Sequence, residues 1–182
     1  MNPAPVIAVV GPSGVGKDSV MAALAARDPR IRLVRRVITR RSEAGGEPFE
    51  GVSEEEFARR IAAGSFVLHW SAHGLRYGIP AAITDLRRDA RAVLVNLSRS
   101  VLAEAEHAFG NFAVISLTAR PELLAARLAA RGREDEAQRT QRLSRAALSL
   151  PDGLSRVIEI DNSGSLDDTV DAILSQLQPE RA

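Results

Sequence analysis

Three features are missing from this 182-residue sequence, and each absence excludes a class of protein. The chain has no cysteine, which excludes disulfide bonds and thiolate metal sites and fits a cytoplasmic protein. Its formal net charge is only +1, so no global positive field marks it as a nucleic-acid-binding protein. No apolar run approaches membrane-spanning length, and Met1 to Pro5 carries no basic region of a secretion signal. We therefore expect neither nucleic acid nor membrane among its partners.

What the sequence does contain is a glycine loop between a predicted strand and a predicted helix. The apolar run Val6 to Val10 predicts a buried parallel strand, and the composition of Val20 to Ala26 favours helix. Glycines let backbone N–H groups converge on an anion, and a helix N-terminus adds a positive dipole end. The pattern predicts a phosphate-binding P-loop, with Lys17 reaching the β- and γ-phosphates of ATP. The loop residues are Gly11, Pro12, Ser13, Gly14, Val15, Gly16, Lys17, Asp18 and Ser19.

One position departs from the general P-loop pattern. A hydroxyl that binds magnesium usually follows the lysine, but here that residue is Asp18, and the hydroxyl comes one residue later, at Ser19. A carboxylate beside a triphosphate is repulsive unless a cation lies between them. Because carboxylates suit Mg²⁺, we expect Asp18 to be a magnesium ligand, with Ser19 as the alternative.

The rest of the chain alternates strands and helices, which indicates a parallel sheet with helices on both faces. Ser53 and Ser165 are expected to cap helices, and residues 39–51 are expected to form a polar loop. Residues 31–80 interrupt the alternation, as an inserted acceptor-binding lobe does. The predicted strands are 31–38, 66–70, 75–79, 92–97, 112–117 and 156–160, and the predicted helices are 54–63, 81–90, 100–108, 121–130, 138–148 and 165–177.

Together these motifs resemble the guanylate kinase-like P-loop kinases over the whole chain. Besides the P-loop, the matching segments are Thr39-Arg40, Val52 to Phe57, Gly64 to Phe66, His73 to Gly78 and the arginine-rich stretch Arg127 to Arg142. The resemblance implies a three-layer P-loop kinase fold with a core (1–30, 81–126 and 143–182), an acceptor lobe (31–80) and a lid (127–142). Within the family it is strongest to members of bacterial phosphonate metabolism, which share Gly16-Lys17-Asp18-Ser19 and convert ribose 1,5-bisphosphate to 5-phosphoribosyl 1-diphosphate (PRPP).

The departures from the family concern the recognition of guanine. At the positions where guanylate kinases carry two guanine-reading carboxylates and a serine, this sequence has Leu68, Asn96 and Ile79. A tyrosine and a second phosphate-binding arginine of the family fall near Phe49 and Glu43. Guanine bound at a site without these acceptors would bury hydrogen-bond donors that have no partner. We therefore expect an acceptor that bears phosphate but no guanine.

The resemblance also assigns the residues that contact the acceptor phosphate. Arg40 and Tyr77 match the family's phosphate contacts, although a solvated basic loop and an aromatic residue at the core edge are their plainer interpretations. Arg35 and Arg36 lie on the preceding predicted strand, and we expect Arg36 to face a second phosphate. Asn162 matches the family's adenine-side loop, although turn chemistry alone also favours asparagine there.

The arginine-rich stretch is expected to act as a lid over the transferred phosphoryl group. Arg127, Arg131, Arg133 and Arg142 surround a charged loop, and the resemblance favours Arg131 and Arg142 as catalytic, together with Lys17. An exposed helix–helix corner with ordinary charge is the alternative. The sequence thus predicts an ATP- and Mg²⁺-dependent kinase acting on a small phosphorylated ribose. A nucleoside monophosphate kinase and an inactive guanylate kinase-like binding module remain alternatives, and the sequence does not give the oligomeric state.

Overall fold

The computed structural model describes residues 2–44, 48–131 and 149–178, which form two sheets and six α-helices. The strands are β1 (Val6–Val10), β2 (Ile31–Leu33), β3 (Arg36–Ile38), β4 (Phe49–Gly51), β5 (Phe66–Ala72), β6 (Leu75–Pro80), β7 (Ala92–Asn96), β8 (Phe112–Thr118) and β9 (Val157–Asp161). The helices are α1 (Lys17–Arg27), α2 (Glu54–Ala62), α3 (Ile83–Asp89), α4 (Leu102–Phe109), α5 (Pro121–Arg131) and α6 (Leu166–Gln176). Short 3₁₀ turns cover Ser42–Ala44 and Arg99–Val101.

The core sheet has five parallel strands in the order β2-β7-β1-β8-β9. In its central strand, Val6, Ala8 and Val10 pack into one hydrophobic cluster, and Ile7 and Val9 pack into a second. Side chains alternate across a strand, so the two clusters lie on opposite faces of the sheet. Helix α4 contributes to the first cluster, and α1 and α6 contribute to the second. The predicted parallel sheet with helices on both faces is therefore confirmed.

The second sheet has four strands in the order β4-β3-β6-β5. Strands β5 and β6 form an antiparallel hairpin, and β3 pairs antiparallel with β6 and parallel with β4. The hairpin turns at His73 and Gly74, whose φ angles of 54° and 74° are those of a type I′ turn. Leu68 and Ile79 of the hairpin enter the first core cluster, so this sheet packs directly on the core.

Two details of the predicted elements are wrong. The single strand expected over 31–38 is two strands in different sheets, because β2 pairs with β7 of the core sheet and β3 pairs with β4 and β6 of the second sheet. Between them, the Val34 N–H still donates to the Leu94 carbonyl of β7 at 3.0 Å. The loop expected over 39–51 ends in a strand, β4, whose Phe49 side chain is buried. The expected caps are confirmed: Ser53 Oγ accepts from the Glu56 N–H, and Ser165 Oγ accepts from the Asp168 N–H, both at 3.1 Å.

An ion cluster ties three elements together far from the P-loop. Asp28, just after α1, accepts from Arg30 Nη2 at 3.1 Å and from Arg91 Nη1 at 2.9 Å. Arg91 also donates to the carbonyl of Leu177, just after α6, at 3.3 Å. The hydrogen bonds from Arg30 and then Arg91 hold the pKa of the Asp28 carboxyl well below its ordinary value.

Within residues 2–44, 48–131 and 149–178, no helix is both long enough and apolar enough to cross a membrane.

Candidate active site

The P-loop leaves the carboxyl end of β1, the central strand of the core sheet. Ligands of open α/β sheets bind at this edge, where the chain crosses from one side of the sheet to the other. Gly14 and Gly16 have φ angles of 84° and 96°, which only glycine adopts without strain. Gly16 precedes α1, and no side chain caps this helix within the described part of the chain. The loop thus presents a helix N-terminus to an anion, as the sequence predicts.

A buried polar network lies beneath the loop. Asn162 is 5% exposed, and its Nδ2 donates to the Val15 carbonyl at 2.6 Å. Thr169 of α6 is 3% exposed, and its Oγ1 donates to Asn162 Oδ1 at 2.7 Å. Arg127 of α5 donates through Nη1 to the carbonyls of Val15, at 3.2 Å, and Gly14, at 3.4 Å, and through Nη2 to the Asn162 carbonyl, at 3.1 Å. Three elements distant in sequence therefore hold the backbone of the loop.

The charged residues of the P-loop lie where a nucleotide phosphate and a metal are expected. Lys17 Nζ donates to the Gly11 carbonyl at 2.9 Å, so the lysine folds over its own loop. Asp18 and Ser19 are exposed in the first turn of α1. Residues 2–44, 48–131 and 149–178 contain no cluster of three or more His, Cys, Asp or Glu side chains able to hold a metal. The donor set fits Mg²⁺ nevertheless, because this ion commonly takes one or two protein oxygens and completes its shell with water and substrate phosphate.

A stack of three side chains lies on the second sheet. The rings of Trp70 and Tyr77 are nearly parallel, with centroids 5.3 Å apart, and the guanidinium carbon of Arg36 lies 5.1 Å from the Tyr77 centroid. Trp70 Nε1 donates to Ser98 Oγ at 2.9 Å, which ties the stack to the loop after β7. Burial lowers the pKa of the Arg36 guanidinium to about 10, so it stays charged at neutral pH. No sequence motif pointed to Trp70, and a single tryptophan on a predicted strand would be assigned to packing.

Arg40 follows β3 and adds a second arginine near the contact between Arg36 and Tyr77. Its guanidinium carbon lies 5.2 Å from the Phe49 centroid, and its charge is close enough to contribute to lowering the pKa of Arg36. An open cleft of about 390 Å³ adjoins it. The cleft is lined by residues 39–42 and 51–54, which include Arg41 and the Ser53 cap of α2. Arg36, Arg40 and Tyr77, predicted separately from the sequence, are thus neighbours in the fold.

Two of the three positions that match guanine-reading residues, Leu68 and Ile79, are apolar and buried, and the third, Asn96, is polar and partly buried. Leu68 and Ile79 pair across β5 and β6, with 2% and 0% of their surfaces exposed. Asn96 is the last residue of β7. The Leu68–Ile79 pair offers no hydrogen-bond acceptor to a base and lies on the same strands as the Trp70–Tyr77 pair.

Two of the predicted catalytic residues are not tested. Arg131 ends α5, but its side chain is not among the described parts, and Arg142 lies outside the described residues, as does the predicted helix over 138–148. Arg127, assigned to the lid from the sequence, donates to the P-loop backbone, and its place in a lid stays a prediction. No sequence pattern marked this contact, because its acceptors are main-chain carbonyls. An adenine contact by Asn162 stays a prediction, since its side-chain amide contacts protein through both ends.

The core sheet and the glycine loop define the class of fold, which is that of the guanylate kinase-like P-loop proteins. A guanylate kinase from Anaplasma phagocytophilum superimposes with a TM-score of 0.65 at 18% identity, covering 97% of this chain and 86% of that one. A gluconokinase from Sinorhizobium meliloti 1021 superimposes with a TM-score of 0.55 at 22% identity, covering 97% and 92% of the two chains. At these identities the likeness concerns the fold alone.

Sequence comparison gives the particular family. The chain is 61% identical over 178 residues to the ribose 1,5-bisphosphate phosphokinase PhnN of Ruegeria sp. strain TM1040, covering 98% of this chain and 94% of that protein. It is 42% identical over 174 residues to the protein of the same name from Brucella melitensis biotype 2, covering 94% and 90%. No family model matches the sequence. The chain therefore belongs to the ribose 1,5-bisphosphate phosphokinase family.

Proposed function

We propose that this protein transfers the γ-phosphoryl group of ATP to ribose 1,5-bisphosphate, yielding PRPP and ADP. The observation that carries the proposal is that the acceptor lobe has basic and aromatic side chains able to bind phosphate but apolar side chains at the positions that match guanine-reading residues. Arg36, Arg40 and Tyr77 offer contacts to phosphate, while Leu68 and Ile79, which match guanine-reading positions of guanylate kinases, are buried and apolar. Membership of the family supports the same acceptor.

At the nucleotide end, the loop from Gly11 to Ser19 holds the phosphates of ATP. Its backbone amides and the N-terminus of α1 favour an anion, and Lys17 leaves its contact with the Gly11 carbonyl to reach the β- and γ-phosphates. Asp18 or Ser19 holds Mg²⁺, which neutralises charge on the phosphates when bound. This assignment keeps the sequence prediction, because both side chains are exposed in the first turn of α1.

At the acceptor end, Arg40 and Tyr77 hold one phosphate and Arg36 holds the second. An oxygen of the 1-phosphate attacks the γ-phosphorus, and the bond between that phosphorus and the oxygen bridging to ADP breaks. The attacking oxygen is already anionic at neutral pH, so the reaction needs no general base. Positioning and charge neutralisation then supply the catalysis, and we assign the transition-state charge to Arg131 and Arg142. A cytoplasmic location, expected from the absence of cysteine, belongs to the same proposal.

The test is a comparison of acceptors with purified enzyme, ATP and Mg²⁺. Product is identified by anion-exchange chromatography after incubation with ribose 1,5-bisphosphate, GMP or other nucleoside monophosphates. We expect PRPP from the first and little product from the others. Efficient conversion of GMP to GDP without PRPP would show a nucleotide kinase. A folded protein that binds ATP but phosphorylates none of them would support the inactive binding module.

A further inference from the structure

Beneath the P-loop lie two of the three buried polar side chains of the described residues, Asn162 and Thr169. They come from different places: Asn162 follows β9, and Thr169 lies on α6. Two acceptors lie near the Thr169 hydroxyl: Asn162 Oδ1 at 2.7 Å and the Ser165 carbonyl at 3.3 Å. The shorter distance shows that the hydroxyl donates mainly to Asn162 Oδ1. That bond fixes which end of the Asn162 amide is the acceptor. Its Nδ2 is consequently the end that meets the P-loop.

The Asn162 amide contacts the P-loop at its most constrained point. Nδ2 donates at 2.6 Å to the carbonyl of Val15, the residue between the two glycines with positive φ. A Cβ atom on Gly16 would lie only 2.9 Å from Nδ2, so the loop and the amide are packed against each other. Arg127 approaches the same carbonyl from α5, at 3.2 Å. The Val15 carbonyl therefore accepts from two donors, Asn162 Nδ2 and Arg127 Nη1.

The direction of this carbonyl sets the direction of the next amide. A peptide unit is planar and trans, so its C=O and N–H point in opposite directions. A Val15 carbonyl bonded to Asn162 turns the N–H of Gly16 away from Asn162. Gly16 is the residue before Lys17 and the start of α1, where N–H groups converge on an anion.

We propose that Asn162 and Thr169 are positioning residues that hold the Val15–Gly16 peptide in the orientation that binds nucleotide phosphate. The proposal rests on the nucleotide-binding part of the proposed function and is independent of the acceptor. It gives Asn162 a role through the P-loop backbone, in place of direct contact with the base. Preorganisation of this kind strengthens nucleotide binding, because the loop does not have to be ordered when the ligand arrives.

The test replaces the Thr169 hydroxyl without changing the shape of the side chain. Thr169→Val leaves Asn162 Oδ1 without its donor, and we expect the Kd for a fluorescent ATP analogue to rise by about five- to thirtyfold, the scale of one unmade buried hydrogen bond. Thr169→Ser loses a methyl group but keeps the hydroxyl, so it should restore most of the affinity. Thr84→Val makes the same chemical change on an exposed face of α3 and should leave the Kd unchanged. Asn162→Ala removes both bonds and should weaken binding more than Thr169→Val does.

Kinetics separate positioning from a general loss of structure. We expect KM for ATP to rise in Thr169→Val while KM for the acceptor stays within about twofold, with thermal unfolding recorded for each variant. Unchanged nucleotide affinity in Thr169→Val, or equal losses in the Val and Ser variants, would overturn the inference while leaving the proposed function intact. Wild-type protein that fails to bind the ATP analogue would overturn both.

Discussion

Replacing Tyr77 of β6 with phenylalanine removes one oxygen and leaves the aromatic stack in place. The ring can still pack on Trp70, 5.3 Å away, and under the Arg36 guanidinium, at 5.1 Å. If the hydroxyl donates to an acceptor phosphate, the variant loses a hydrogen bond to a charged group, worth about 1.5–3 kcal/mol. That loss corresponds to a reduction of about 10- to 150-fold in kcat/KM for the acceptor.

The assay measures kcat/KM for ribose 1,5-bisphosphate at saturating ATP, and KM for ATP at saturating acceptor. Trp70 is the only tryptophan, so its fluorescence reports whether the stack is intact in each variant. Tyr77→Leu removes ring and hydroxyl together and should cost more, because the cation–π contact with Arg36 adds about 0.5–2 kcal/mol. Wild-type kcat/KM in Tyr77→Phe would refute a phosphate contact by the hydroxyl. An equal rise in KM for ATP would show that Tyr77 maintains the fold and does not act on the acceptor in particular.

Three further perturbations test other parts of the account. Replacing Arg131 or Arg142 with Ala should lower kcat by about ten- to a thousandfold, and wild-type turnover in both would make that segment an ordinary surface corner. Asp18→Asn should raise the free Mg²⁺ needed for half-maximal activity, and Asp18→Ser should retain more activity than Asp18→Ala; an unchanged requirement in all three leaves Ser19 as the ligand. Asp28→Asn should destabilise the fold at neutral pH. Because the folded pKa of Asp28 is depressed, the gap in unfolding free energy between wild type and variant is complete above about pH 4 and narrows as the pH falls further. A gap that does not change with pH would contradict the assigned ion cluster.

The core of the fold could be predicted because each of its elements carries its own signal. The run Val6 to Val10 is continuous and β-branched, and both serine caps have a hydrogen-bonding reason to start a helix. The division of residues 31–38 between two sheets carries no such signal. Apolar residues lie on both sides of the break, Leu33 and Val34 before it and Val37 and Ile38 after it, and only the packing of the whole molecule determines which sheet each half joins. Strand β4 has only three residues, and its composition does not predict a strand. It forms because it pairs with β3.

The candidate site likewise contains residues that the sequence predicts and residues that it does not. Glycines, Lys17 and Asp18 are adjacent in sequence, so their joint role in a P-loop follows from spacing alone. Arg36, Arg40 and Tyr77 were assigned one by one, and their proximity depends on the pairing of β3 with β6. The network of Arg127, Asn162 and Thr169 was not predictable, because its central acceptors are backbone carbonyls more than a hundred residues away along the chain.

A competition between acceptors tests the central claim most directly. Equal concentrations of ribose 1,5-bisphosphate and GMP are incubated in one tube with ATP, Mg²⁺ and enzyme, and ³¹P NMR follows the diphosphate signals of PRPP and GDP. Because the buried Leu68–Ile79 pair offers no acceptor to guanine, the account predicts that PRPP forms and GDP does not until the ribose substrate is exhausted. GDP formed as fast as or faster than PRPP would contradict it.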